Sequence, residues 1–263
     1  YHEWVILNND MKFQLKNSGH ILGSSLIELR INNKTFVFSG DLGRTNPLIL
    51  HPAEYVKTAD VVIMESTYGD RLHAAEDPKD VIHRIIWETF NRKGILMIPT
   101  FTVERAQELL YLLSELEADG KLPSMPIYLD SPMGVHATEI MLRHTDWHPM
   151  DKKECYAMHT IAKLIVDIQD SKMVGADPSP KIVLAGSGML SGGRILHYLN
   201  KYGGDARNTI LMGGFQAAGT RGRALLEGAK EIKFFGKFRA INAQVEQITA
   251  LSAHADQREI LKW

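Results

Sequence analysis

From about Gly69 to Ile241 the sequence alternates short apolar runs of strand length with longer amphipathic stretches, and few architectures accommodate that rhythm. ILMIPT, PIYLDS, KIVLAG and NTILMGG read as buried strands, whereas VIHRIIWETFNRK, ERAQELLYLLSELEA and GGRILHYLNKY carry helical apolar spacing. Asp77-Pro78 supplies an N-cap and a first-turn proline for the first of these helices, and Gly94 is placed to end it. A further helix is expected over residues 133–144, then a looser stretch as far as Pro180. Such alternation predicts an α/β fold with a mostly parallel sheet flanked by helices.

The flanking text has a different period. MKFQLKNS, SLIELRI and KTFVFSGD read as strands, the last two joined at the turn-prone pair Asn32-Asn33. VVIMEST, from Val61, is apolar enough to predict a strand buried on both faces. Strand-like text returns from about Glu231, and DQREILKW opens a last helix. One domain inserted into another accounts for this order, with boundaries near Tyr68 and Ile241: residues 1–68 and 242–263 form one domain and 69–241 the other.

Composition removes several alternatives. No run of eighteen apolar residues occurs and YHEWVILNND lacks the features of a signal peptide, so no membrane association and a cytoplasmic location are expected. Cys155 is the single cysteine, which excludes an internal disulfide. The formal net charge of -1, from 30 basic and 31 acidic side chains, is not that of a nucleic-acid coat protein, though local charge in a cleft suffices for a single phosphodiester.

Four segments place a ligand or proton carrier beside small residues at a strand end: SGHILGSS with His20, FSGDLGRT with Asp41, MESTYGD with Glu65 and LSAHADQ with His254. Each alone has an ordinary reading as a loop histidine, a turn aspartate or a helix cap. The loop GSGMLSGGR leads into a helix, where its backbone N–H groups could face an anion, so Ser187, Gly188 and Arg194 are candidate substrate contacts; a plain helix-capping turn is the alternative. Arg105 is either a phosphate contact or a helix-surface partner. His144 and His148 are expected at the surface, and Met133, Met189 and Met212 in the core.

In their joint order these segments resemble the β-CASP family of metallo-β-lactamase-fold RNA-processing nucleases, which includes the endonuclease of eukaryotic pre-mRNA 3′-end cleavage. GHILGSSLIEL, SGDLGR, ESTYG and SAHAD carry the resemblance, supported by IPTFTVERAQELL, YLDSPM and GSGMLSGGRILHYL. It implies a partial metallo-β-lactamase αβ/βα sandwich with an inserted β-CASP domain. It further implies His20 on one zinc ion, Asp41 bridging two, His254 protonating the leaving ribose oxygen and Glu65 orienting it. Asp41, Glu65 and His254 are thus the implied catalytic residues, and single-stranded RNA the implied substrate of a zinc-dependent endonuclease. The resemblance leaves open 5′-exonuclease activity, a homodimer, an inactive scaffold subunit and a DNA-repair nuclease.

The sequence also departs from the pattern. No HxHxDH string, the family's main source of zinc ligands, occurs in these 263 residues, and the family's third β-CASP histidine would fall beyond Trp263. The expectation is a fragment of a longer enzyme whose incomplete ligand set, His20 and Asp41, holds zinc weakly by itself.

Overall fold

A computed structural model describes residues 1–263, which divide into two compact units: residues 1–73, 144–150 and 252–263, and residues 74–143 and 151–251. No helix is long and apolar enough to cross a membrane.

The first unit is built on a five-stranded sheet of β1 (Val5–Asn8), β2 (Met11–Asn17), β3 (Ser25–Ile31), β4 (Lys34–Phe38) and β5 (Val61–Ile63), in that order. Pairing is antiparallel as far as β4, and β5 joins β4 in parallel. The β3–β4 hairpin turns at Asn32, whose φ of 51° suits asparagine. Register places Leu15, Ile27, Phe38 and Ile63 in one cross-strand row, with Phe13, Leu29, Phe36 and Val61 in the next row of the same face. That face is only partly covered. β5 was expected to be buried on both sides, but Val61, Val62 and Ile63 are 40%, 50% and 46% exposed, because β5 is an edge strand paired on one side only.

The second unit holds an all-parallel six-stranded sheet of β6 (Leu96–Pro99), β7 (Ile127–Leu129), β8 (Lys163–Leu164), β9 (Ile182–Ala185), β10 (Thr209–Met212) and, beyond the two-stranded ribbon β11 (Glu231–Phe234) and β12 (Lys237–Ala240), β13 (Gln244–Gln247). Its order is β13-β10-β6-β9-β7-β8. β6, β9 and β10 are buried throughout, as continuous apolar strands in a helix-covered parallel sheet should be. β13 lies past the expected boundary at Ile241, yet it pairs with β10, so this unit extends to Leu251.

The helices are α1 (Pro78–Asn91), α2 (Arg105–Ala118), α3 (Pro132–Arg143), α4 (Lys152–Thr160), α5 (Ile168–Ala176), α6 (Ile195–Tyr202) and α7 (Arg221–Leu226). Asp77 caps α1 by accepting from the Lys79 N–H. The stretch expected to be loose contains α4 and α5: Asp151 and Glu154 form a reciprocal capping box on α4, and Asp167 accepts from two N–H groups of α5. α6 and α7 contribute Ile195, Leu199 and Leu225 to a core with Met97, Val183 and Ile210. Met212 lies in that core as expected, but Met133 is 68% exposed on α3 and Met189 is half-buried; His148, expected at the surface, is 3% exposed.

α2 begins from a strained residue. Glu104 has φ 69° and ψ -64°, and the Arg105 N–H donates to the Val103 carbonyl at 2.9 Å, the geometry of a γ-turn that non-glycine residues adopt reluctantly. Its side chain is buried and caps nothing. Burial, reinforced by Glu108, holds the Glu104 carboxyl well above the usual carboxylate range. Glu104→Gly is therefore expected to raise stability by about 1–3 kcal/mol in urea unfolding. A carboxyl whose pKa is raised on folding contributes stability below its unfolded pKa and loses it as pH rises through the folded value. The advantage of the glycine variant should thus widen as pH rises above the ordinary glutamate range; a gap independent of pH would contradict this.

Candidate functional site

In the first unit His20, Asp41, Glu65 and His254 converge although far apart in sequence. His20 lies in the loop after β2 and Asp41 in the loop after β4. These loops touch through two glycines: a Cβ on Gly43 would lie 1.8 Å from the Gly19 carbonyl oxygen, and the Gly43 N–H donates to the Ser18 carbonyl at 2.7 Å. Ser24 ties off the first loop by accepting from the N–H groups of His20 and Ile21, both at 3.2 Å. Glu65 follows β5, with its N–H on the Ser39 hydroxyl at 3.0 Å. The His254 segment joins the Asp41 loop through the Ala255 N–H, which donates to the Leu42 carbonyl at 2.8 Å.

The result is a compact cluster. One ligand atom each from His20, Asp41 and His254 lies within 4.8 Å of the others, His20 Nε2 is 3.6 Å from Asp41 Oδ2, and the two imidazole rings are 4.3 Å apart. His20 Nδ1 is buried and meets no well-aligned hydrogen-bond partner, with the Ala253 carbonyl its nearest polar influence, while Nε2 faces Asp41. Burial, followed by the nearby His254, lowers the His20 pKa against the opposing Ala253 carbonyl, Asp41 and Glu65, so the ring is neutral. A neutral imidazole whose Nε2 faces an exposed carboxylate, with a second imidazole 4.3 Å away, is a donor set that suits zinc.

Glu65 and His254 form a second pair at the same place. His254 Nδ1 is 3.1 and 3.2 Å from the two Glu65 carboxylate oxygens. Glu65 also accepts from the N–H groups of Leu42 and Thr67. Burial acts to raise the Glu65 pKa, but these hydrogen bonds, that of His254 first among them, bring it below the usual range. Glu65 is therefore a carboxylate that fixes the Nδ1–H tautomer of His254 and leaves Nε2 for chemistry.

One neighbour has no counterpart among the residues singled out from sequence. His73 donates from Nε2 to the His254 carbonyl at 2.8 Å, and its own N–H donates to Asp256 Oδ2 at 3.1 Å. The Tyr68 ring lies 4.9 Å from that of His73 and 6.2 Å from that of His254.

The candidate substrate contacts lie in the second unit, at the carboxyl ends of its parallel strands, where ligands bind in open α/β sheets. Ser187 is half-buried and its hydroxyl accepts from the Ser191 N–H at 3.1 Å and the Gly192 N–H at 3.4 Å, closing the loop on itself. Gly188 is buried; a Cβ there would meet the Phe101 ring at 2.7 Å, and its carbonyl accepts from Gln216 at 3.0 Å. The two arginines differ from expectation. Arg194 donates to Asp130 Oδ1 at 2.7 Å and to the carbonyls of Ile165 and Val166, which commits its guanidinium to anchoring the loop. Arg105 is buried rather than on the helix surface, with its guanidinium 2.6 Å from Glu108.

Residues 106–225 match the Beta-Casp domain, and residues 239–263 match the Zn-dependent metallo-hydrolase RNA specificity domain. The whole chain is 34% identical to Ribonuclease TTHA0252 of Thermus thermophilus and 34% identical to an RNase J-like protein of Methanocaldococcus jannaschii, spanning 62% of each. It is 30% identical to the Transcription termination factor FttA of Methanosarcina mazei, spanning 44% of that protein.

Proposed function

The chain belongs to the β-CASP family of metallo-hydrolases, and from that premise we propose that the whole protein is a zinc-dependent ribonuclease that hydrolyses single-stranded RNA. The observation that carries the reading is the Glu65–His254 pair set against His20 and Asp41, which brings a proton carrier within reach of a metal-binding donor set. The names of the relatives support RNA over DNA as substrate.

His20 and Asp41 are this chain's share of the ligands for two zinc ions. The chemistry supplied there by bound zinc is Lewis acidity, which lowers the pKa of a water and offsets charge on the phosphoryl oxygens. His254 carries the proton. With Nδ1–H held by Glu65, Nε2–H can donate to the leaving ribose oxygen as its bond to phosphorus breaks, leaving a hydroxyl rather than an alkoxide. Glu65 stays ionised throughout and stabilises the imidazolium before that transfer.

Chelation should abolish RNA cleavage by the whole protein and zinc should restore it. Asp41→Ala should lower both bound zinc and cleavage at least tenfold, because one of the donors that would hold the metal is lost. Cleavage that survives chelation, or that is equally fast on single-stranded DNA, would overturn the proposal.

A further inference from the structure

We infer that His73 is a positioning residue for His254, holding the proton carrier by its backbone while Glu65 holds it by its ring. The inference rests on the reading of His254 as proton donor and extends it to a residue outside the cluster of His20, Asp41, Glu65 and His254.

A histidine that must deliver a proton needs its ring fixed in two places, since torsion about the backbone swings Nε2 even when Nδ1 is held. Glu65 supplies one fixed point, at Nδ1. The other is the peptide carbonyl of His254, which faces the His73 ring; a carbonyl can only accept, so His73 Nε2 bears the hydrogen of that 2.8 Å bond. His73 is itself restrained. Its N–H donates to Asp256 Oδ2, and Asp256 caps the helix Gln257–Lys262 through a reciprocal capping box with Glu259. Tyr68 and Asp256 form a parallel β-bridge, and the Gln257 N–H donates to the Arg71 carbonyl at 3.1 Å. Residues 68–73 therefore clasp residues 254–257 along both main chain and side chain.

The geometry gives His73 a role that depends on one donor atom. Glutamine can place its Nε2 where the histidine Nε2 lies, whereas alanine places nothing there. In the zinc-loaded whole protein, His73→Ala should lower kcat for single-stranded RNA roughly 10- to 100-fold with KM and bound zinc unchanged, since misplacing a catalytic group by about 1 Å costs that much. His73→Gln should recover most of the loss. In imidazole nitrogen NMR of the same proteins, the Nδ1–H signal of His254 should broaden or disappear in His73→Ala and return in His73→Gln. Unchanged kcat in the alanine variant, or equal loss in both variants together with loss of zinc, would overturn the inference. If the wild-type protein cleaves no RNA, the proposed function fails, and the His254 signal alone decides the positioning role: a signal unaltered by His73→Ala rules it out.

Discussion

Asp130→Ala is expected to lower the stability of the second unit by about 3–5 kcal/mol, the usual consequence of removing one member of a buried ion pair. Asp130 is 0% exposed and accepts three hydrogen bonds at 2.7 Å, from Arg194, Tyr198 and Ser171. Burial first, and then the Asp130 carboxylate, push the Tyr198 phenol far above its ordinary pKa, so the ring keeps its proton to donate. Removing the carboxylate leaves a guanidinium held only by the carbonyls of Ile165 and Val166, with two hydroxyl groups lacking an acceptor. Those losses add where burial is deepest, because an unsatisfied donor there forfeits its hydration as well as its partner. Asp130→Asn should cost less, since its carbonyl oxygen still accepts. Urea unfolding reads both variants, and an alanine variant within 1 kcal/mol of the wild type would refute the account. Because Arg194 lies at the end of the loop 186–194, loosening it should also increase hydrogen exchange in that loop.

Much of this arrangement could be read from sequence, and the misses have physical causes. The parallel sheet was legible because ILMIPT, KIVLAG and NTILMGG are continuous apolar runs, which only strands covered on both faces require. The same rule failed for VVIMEST: apolarity reports that a face must be covered, not by what, and in this chain Val61–Ile63 form an exposed edge. α4 was missed: Asp151 and Glu154 stand three residues apart as a capping pair, but the helix buries only Cys155 and Met158, too weak an apolar stripe to mark it. The pairing of Arg194 with Asp130 crosses 64 residues and that of His73 with His254 crosses 181, distances at which sequence spacing carries no signal. His20, Asp41, Glu65 and His254 were legible for a different reason. Alone each has an ordinary reading, and it was their joint order, resembling the β-CASP motifs, that singled them out; His20, Asp41 and Glu65 do follow strands β2, β4 and β5 among small residues, as Gly19 against Gly43 illustrates.

His254→Ala separates two roles that the geometry alone allows. A carboxylate on an imidazole Nδ1–H orients a proton carrier, but it equally orients a metal-binding histidine, and His254 has an atom within 4.8 Å of His20 and Asp41. If His254 is the proton donor, the variant should keep its zinc and lose roughly 10²–10⁴-fold in kcat on single-stranded RNA, the range typical of general acid–base catalysis. Glu65→Gln should lose less, because the imidazole remains and only its tautomer and charge stabilisation are impaired. The decisive measurement uses a substrate whose bridging leaving oxygen is replaced by sulfur. A thiolate departs without a proton, so the variant and the wild type should cleave it at similar rates, and the deficit seen with ordinary RNA should nearly vanish. Were His254 instead a ligand, zinc would fall with activity and the sulfur substrate would restore nothing, since the loss would lie in attack on phosphorus and not in departure from it.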